Sequence, residues 1–177
     1  AVADIAPRSP PLARLAYDEL LASQLALALV RAHQRRSAGR AREGDGRIRA
    51  KLLDALPFIL TGSQQTALAE IDADLRRPER MLRLLQGDVG SGKTVVALLA
   101  AAAAIETGAQ AAIMAPTELL ARQHARTIAP LADAAGIRFA VLTGRERGKD
   151  REAVLADLAD GSLDLLIGTH ALFQSTV

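Results

Sequence analysis

The run MLRLLQGDVGSGKTVVALLAAAAAI, residues 81–105, constrains this chain more than any other stretch. Gly87, Gly92, Lys93 and Thr94 satisfy the spacing G-x-x-x-x-G-K-[ST], behind an apolar segment that reads as a strand and ahead of one that reads as a helix. Each part has a physical reason. Glycines let the backbone turn so that the N–H groups around Gly90 to Thr94 converge on an anion, and the helix opening there adds a favourable dipole. Lys93 has the reach to meet the β- and γ-phosphates, and the Thr94 hydroxyl suits a Mg²⁺ ion. Gly87, Asp88, Val89, Gly90, Ser91, Gly92, Lys93 and Thr94 are therefore the expected nucleotide-binding residues. A structural Gly-rich turn is the bland alternative, and it leaves the strand-loop-helix context unexplained. The loop by itself does not say what the nucleotide energises, because kinases, transporters, GTPases and motors share it.

Such a loop requires a parallel sheet covered by helices, and the pattern beyond Pro57 fits one. The sequence predicts a helix over 62–76, a strand at 81–86, and a helix from about Gly92 to Thr107 stopped by Gly108. A strand at 111–115 and a helix over 117–134, kinked or broken at Pro130, come next. The strand IRFAVL, a helix over 150–160 and the strand LDLLIG complete the series. Ahead of Pro57, Leu12, Leu15, Leu20, Leu25, Leu29 and Val30 recur at helical spacing behind Pro10 and Pro11, which predicts a long lead-in helix. The stretch SAGRAREGDGR reads as a flexible loop, and RIRAKLLDAL as a short helix ended by Pro57. The expected division is a helical lead-in and basic linker at 1–56 followed by an α/β lobe at 57–177.

A length of 177 residues with 50% hydrophobic content is enough for a real core. The longest apolar run, VVALLAAAAAI, is too short to cross a bilayer, so no membrane partner is expected. With no cysteine and no secretory leader in the sequence, a cytoplasmic location is the default expectation. The chain starts at Ala1 and stops at ALFQSTV without a cap or turn signal, and so reads as cut at both ends. Residues 31–51 carry eight basic residues against Glu43 and Asp45, a local charge of +6. A solvated linker is the favoured reading of that run, and a phosphate-facing patch the second. His33, His124 and His170 show no ligand spacing, so a histidine metal site is not expected. His124 reads as a helix-surface residue, His170 as a shaper of the loop after Thr169, and Tyr17 as packing on the lead-in helix.

LPFILTGSQ at 56–64, RLLQGDVGSGKT at 83–94, MAPTELLARQH at 114–124, LTGRERGKDR at 142–151 and LLIGTHALFQ at 165–174 together resemble the RecG family of bacterial ATP-dependent DNA helicases. Order and spacing agree from about Ala16 to Val177, and TGRERGKDR with APTELLA favours this family over the transcription-repair coupling factor and PriA. The resemblance implies a partial RecA-like lobe, with ATP and Mg²⁺ as cofactors and Lys93 and Thr94 as the catalytic pair. It implies that Gln64 reads the adenine edge, although Thr61 and Gln64 also form a capping box that needs no ligand. It further implies a DNA strand held through its backbone by Pro116 and Thr117, by Thr143 and Gly144, and by Gly168, Thr169 and His170. Arg145, Arg147, Lys149 and Arg151 suit either a solvated loop or a phosphate clamp, and Phe58 reads as core rather than as a base-stacking group.

A motor of this kind also needs an acidic pair for the metal and the attacking water, and an arginine from a second lobe. No D-E-x-H segment occurs in the 177 residues. The resemblance accordingly implies a fragment of an enzyme that remodels branched DNA and stalled replication forks. Its partners would be forked DNA, a second RecA-like lobe and an N-terminal wedge domain. The fragment alone is expected to bind nucleotide without hydrolysing it or unwinding DNA, and to be marginally stable or self-associating through an uncovered sheet edge. A stand-alone nucleotide-binding switch or docking module is the alternative. A small-molecule kinase would leave PTELLARQH and GTHALFQ without a role.

Overall fold

The computed structural model describes residues 9–36 and 38–173. They fall into two compact units, one of residues up to Arg40 together with Pro78–Leu82, the other of Ala41–Arg77 and the chain from Arg83 onward. The first holds helix α1 (Pro10–Arg36), with an Arg14–Asp18 ion pair at 3.0 Å one turn apart and Arg14 lying 5.9 Å over the Tyr17 ring. An isolated antiparallel bridge joins Ala38 to Glu79 in the same unit. The side chains of Arg31, His33, Arg35 and Arg36 lie outside the described residues, as does Gln174.

The second unit runs α2 (Arg47–Ala55), α3 (Gly62–Leu75), α4 (Lys93–Ile105), β1 (Ala111–Met114), α5 (Glu118–Ala135), β2 (Phe139–Leu142), α6 (Lys149–Ala159) and β3 (Leu165–Gly168). A short 3-10 helix at His170–Phe173 follows. The three strands among the described residues are parallel, in the order β1-β3-β2, with Met114, Gly168 and Leu142 level at their carboxyl ends. This is an α/β fold, as the alternation of helices and apolar runs predicted.

Central β3 is buried on both faces, and its period-two alternation sorts two cores. Leu165 and Ile167 pack with Leu98, Leu99 and Ala102 of α4 and Ala121, Ile128 and Ala132 of α5. Leu166 turns the other way, to Leu142, Leu163 and the α6 side chains Val154, Leu155 and Leu158. Helices thus cover both faces of the sheet. Ala102 is fully buried and Ala103 nearly so, the close helix packing that small side chains permit.

Several expectations are corrected. Residues 81–86 form no strand, because among the described residues no strand offers them backbone partners. Leu85 reaches the core while Leu84 is 84% exposed. α5 passes through Pro130 unbroken. Proline removes the backbone donor that would meet the Arg126 carbonyl, but both residues lie on the exposed side while Ile128, Leu131 and Ala132 hold the inner face. Phe58 is 47% exposed and lines a shallow apolar cleft with Leu53, Leu56 and Ile59 rather than joining the core.

α2, grouped by its sequence with the lead-in, packs within the second unit through Leu52, which is 1% exposed. Its N-terminus is capped from a distance. The Glu106 carboxylate accepts the backbone N–H groups of Gly46 (2.8 Å), Ile48 (2.7 Å) and Arg49 (2.9 Å), so an acidic group satisfies donors that the helix leaves orphaned. Arg49 makes a two-pronged bond to Asp72 at 2.6 and 2.7 Å and reaches the Leu99 carbonyl. Arg42 donates to the Thr107 hydroxyl, and Arg47 pairs with Asp45. Three cations of the basic run are therefore engaged in holding the chain to itself.

Candidate functional site

The phosphate loop closes on itself through a small set of bonds. Gly90 and Gly92 take φ of 82° and 78°, a region that side chains avoid, and a Cβ on Gly92 would also strike the Gln64 carboxamide. Lys93 opens α4, and its ammonium donates to the carbonyls of Gly87 and Asp88, both at 2.7 Å, with the Ser91 hydroxyl at 3.4 Å. Ser91 N–H donates to the Asp88 carbonyl, and Val89 stands fully exposed at the tip. A cation over a ring of backbone groups at a helix N-terminus is chemically suited to an anion of phosphate type.

Gln64 joins this loop to the helix before it. Thr61 caps α3 in a full capping box, its hydroxyl accepting from Gln64 N–H at 3.3 Å and its own N–H donating to Gln64 Oε1 at 2.9 Å. The same carboxamide donates through Nε2 to the Ser91 carbonyl at 2.9 Å, so one side chain bridges 27 residues of sequence. One lone pair and one N–H remain for a ligand. Thr61, Gln64, Leu85, Gly87 and Lys93 line a cleft of about 380 Å³. The cradle of glycines, the lysine and the open cleft beside it fit a nucleotide with its metal.

Thr94, next along the helix, has its hydroxyl 3.4 Å from Nδ1 of His124 on α5. His124 is half-buried there, not a free surface residue, because α5 presents that face to the start of α4.

The remaining expected residues gather at the carboxyl edge of the sheet, where open α/β sheets bind ligands. Pro116 and Thr117 follow β1, Thr143 and Gly144 follow β2, and Thr169 and His170 follow β3. Ala115 N–H bonds to the Gly168 carbonyl at 2.8 Å, and Thr169 N–H to that of Leu142 at 3.4 Å, which extends the ladder under all three turns. Gly168 is held close, since a Cβ there would meet the Leu142 carbonyl. Pro116, Thr117, Gly144 and His170 are exposed and Thr169 half-exposed. Thr117 caps α5 by accepting from Leu120 N–H.

Thr143 differs from what its motif suggests. It is fully buried, and both its N–H and its hydroxyl donate to one oxygen of Glu146 at 2.6 Å, so its side chain offers nothing to a ligand in this conformation. The other Glu146 oxygen takes Arg122 at 2.7 Å. Arg122 in turn bonds Glu118, which also holds Arg145 at 2.9 Å. Burial alone would raise the Glu146 carboxyl, but the two Thr143 donors and Arg122 outweigh it and lower it from the usual 4.5 to about 2. Glu118, Arg122, Glu146, Ser91 and His124 were not singled out for these contacts by sequence reasoning. The i, i+4 spacing of Glu118 and Arg122 was the one legible signal.

Residues 61–177 match the family described as DEAD/DEAH box helicase. The chain belongs to that helicase family. Among curated helicases it is 45% identical over 168 residues to the ATP-dependent DNA helicase RecG of Escherichia coli (strain K12), covering 95% of this chain and 24% of that protein. To the ATP-dependent DNA helicase RecG of Bacillus subtilis (strain 168) it is 44% identical over 93% of this chain and 24% of the relative. The chain thus spans about a quarter of the length of these helicases. A solved structure of RecG bound to a three-way DNA junction superposes with a TM-score of 0.80 at 41% identity, over 91% of this chain and 22% of that one. Among the described residues, no helix is long and apolar enough to cross a membrane.

Proposed function

We propose that this chain is the nucleotide-binding part of an ATP-dependent DNA helicase that remodels branched DNA and stalled replication forks in recombination and repair. The observation that carries the reading is the Lys93 ammonium seated over the Gly87 and Asp88 carbonyls at the N-terminus of α4. It lies in a lobe whose sheet edge aligns the PT, TG and GTH turns. Lys93 would exchange its carbonyl partners for β- and γ-phosphate oxygens, and Gly90 to Thr94 would supply N–H donors. Thr94 would hold Mg²⁺ through its hydroxyl, and Gln64 would meet the adenine edge with its remaining donor and acceptor. Bound MgATP supplies a phosphoryl group whose transfer to water drives the motor. Pro116, Thr117, Gly144, Thr169 and His170 would grip a DNA strand through phosphate and sugar, without regard to sequence.

The 177 residues contain no D-E-x-H pair to complete the metal site and orient water. The chain should therefore bind nucleotide and turn over none, with catalysis requiring that pair and a second RecA-like lobe. A wedge domain would engage the branch point, and the site of action would be the bacterial cytoplasm.

Binding of a fluorescently labelled ADP and steady-state ATP hydrolysis, with and without forked DNA, test this against Lys93→Ala. The expected result is binding weakened more than about tenfold by Lys93→Ala, since a charge-assisted bond is lost, and no hydrolysis above that variant. DNA-stimulated hydrolysis would overturn the incomplete-motor reading. No labelled-ADP binding at all would overturn the nucleotide site.

A further inference from the structure

The contact between Thr94 and His124 joins two elements that the nucleotide reading leaves separate. Thr94 Oγ1 and His124 Nδ1 lie 3.4 Å apart, across 30 residues of sequence and in a part-buried setting. A hydroxyl that ligates a cation must direct a lone pair at the metal and send its proton elsewhere. With the ring proton on Nε2, Nδ1 accepts the Thr94 O–H and turns the oxygen's lone pairs outward. With the proton on Nδ1, the ring would instead donate to one of the oxygen's two lone pairs and leave the hydroxyl proton unheld, free to turn toward the cation.

We propose that His124 is a positioning residue for the metal-binding hydroxyl, accepting the Thr94 proton through Nδ1 so that Thr94 is oriented before Mg²⁺ arrives. This rests on the nucleotide reading above. It also gives α5 a second role. The helix begins beside Thr117 in the expected DNA-contacting turn, and His124 lies seven residues further on, about 10 Å along the axis. One rigid element therefore touches both the turn after β1 and the threonine of the phosphate loop.

The test is the gain in affinity for labelled ADP when magnesium replaces EDTA, measured on the whole 177-residue chain. His124→Asn places a carboxamide oxygen near the position of Nδ1, whereas His124→Gln places it near Nε2, and both keep a polar side chain on the helix. Asn should retain the magnesium gain, and Gln should lose about three- to fivefold of it, with both matching the wild type in EDTA. An equal magnesium gain in all three proteins would overturn the proposal, as would an equal loss of affinity with and without the metal. If the wild-type chain binds labelled ADP in neither condition, the nucleotide site itself fails and this inference with it. If it binds in EDTA but gains nothing from magnesium, only the inference fails.

Discussion

The phosphate loop and the turn after β2 are both loops on one lobe, yet they are held in opposite ways. The first is closed by backbone carbonyls that accept from Lys93, and Val89 at its tip is fully exposed. The second is closed by side chains. Thr143 is fully buried, Glu146 takes both its donors, and Arg122 ties that carboxylate to Glu118 in the first turn of α5. The bonds from Lys93 are charge-assisted, but both acceptors at 2.7 Å are backbone carbonyls rather than side chains. A turn closed by a connected network of hydrogen bonds and ion pairs is held by bonds that support one another.

The largest test of that contrast removes the anchor of the rigid turn. Glu146→Ala strips two donors of a fully buried Thr143 of their acceptor and should cost about 2–4 kcal/mol of stability in a urea melt. Labelled-ADP affinity of the folded fraction should stay within twofold of the wild type. A stability loss below about 0.5 kcal/mol would mean that the network is a surface ornament. On the other loop, Gly92→Ala imposes a left-handed conformation on a side chain and crowds Gln64. It should weaken nucleotide binding by about tenfold, with a smaller loss of stability near 1 kcal/mol.

The same carboxylate predicts a pH dependence. Glu146 is depressed in the folded state from 4.5 to about 2, so the unfolded chain takes up its proton first as pH falls. The stability it contributes is whole above the unfolded value and is lost as pH drops through the folded one. Urea melts of wild type and Glu146→Gln should therefore converge between about pH 4.5 and pH 2. A constant gap across that range would show that the carboxylate's charge is not what holds the turn.

Much of the site was legible because its signals are local. The glycines of the phosphate loop, the Thr61–Gln64 capping box and the Thr117 cap are each written within a few residues, and the backbone has few ways to satisfy them. The order of helices and strands followed from periodicity for the same reason. Residues 81–86 misled because apolar content marks a segment fit for a strand, while a strand exists only through a ladder partner. Phe58 misled because aromatic character does not fix burial. The basic run misled in part, since Arg42 and Arg49 find partners at Thr107 and Asp72, which no reading of neighbouring residues could supply.

The sequence by itself determined that this chain builds a glycine-rich loop at a helix N-terminus in an α/β lobe, because conformational freedom at Gly90 and Gly92 and the spacing to Lys93 are chain-local properties. Only the tertiary structure decided that Gln64 bonds the loop at Ser91, that Glu106 caps α2, that Thr143 is sealed by Glu146, and that Thr94 meets His124. The physical reason is that hydrogen bonds and ion pairs are short-ranged. Whether a side chain makes one depends on which distant elements the core packs beside it.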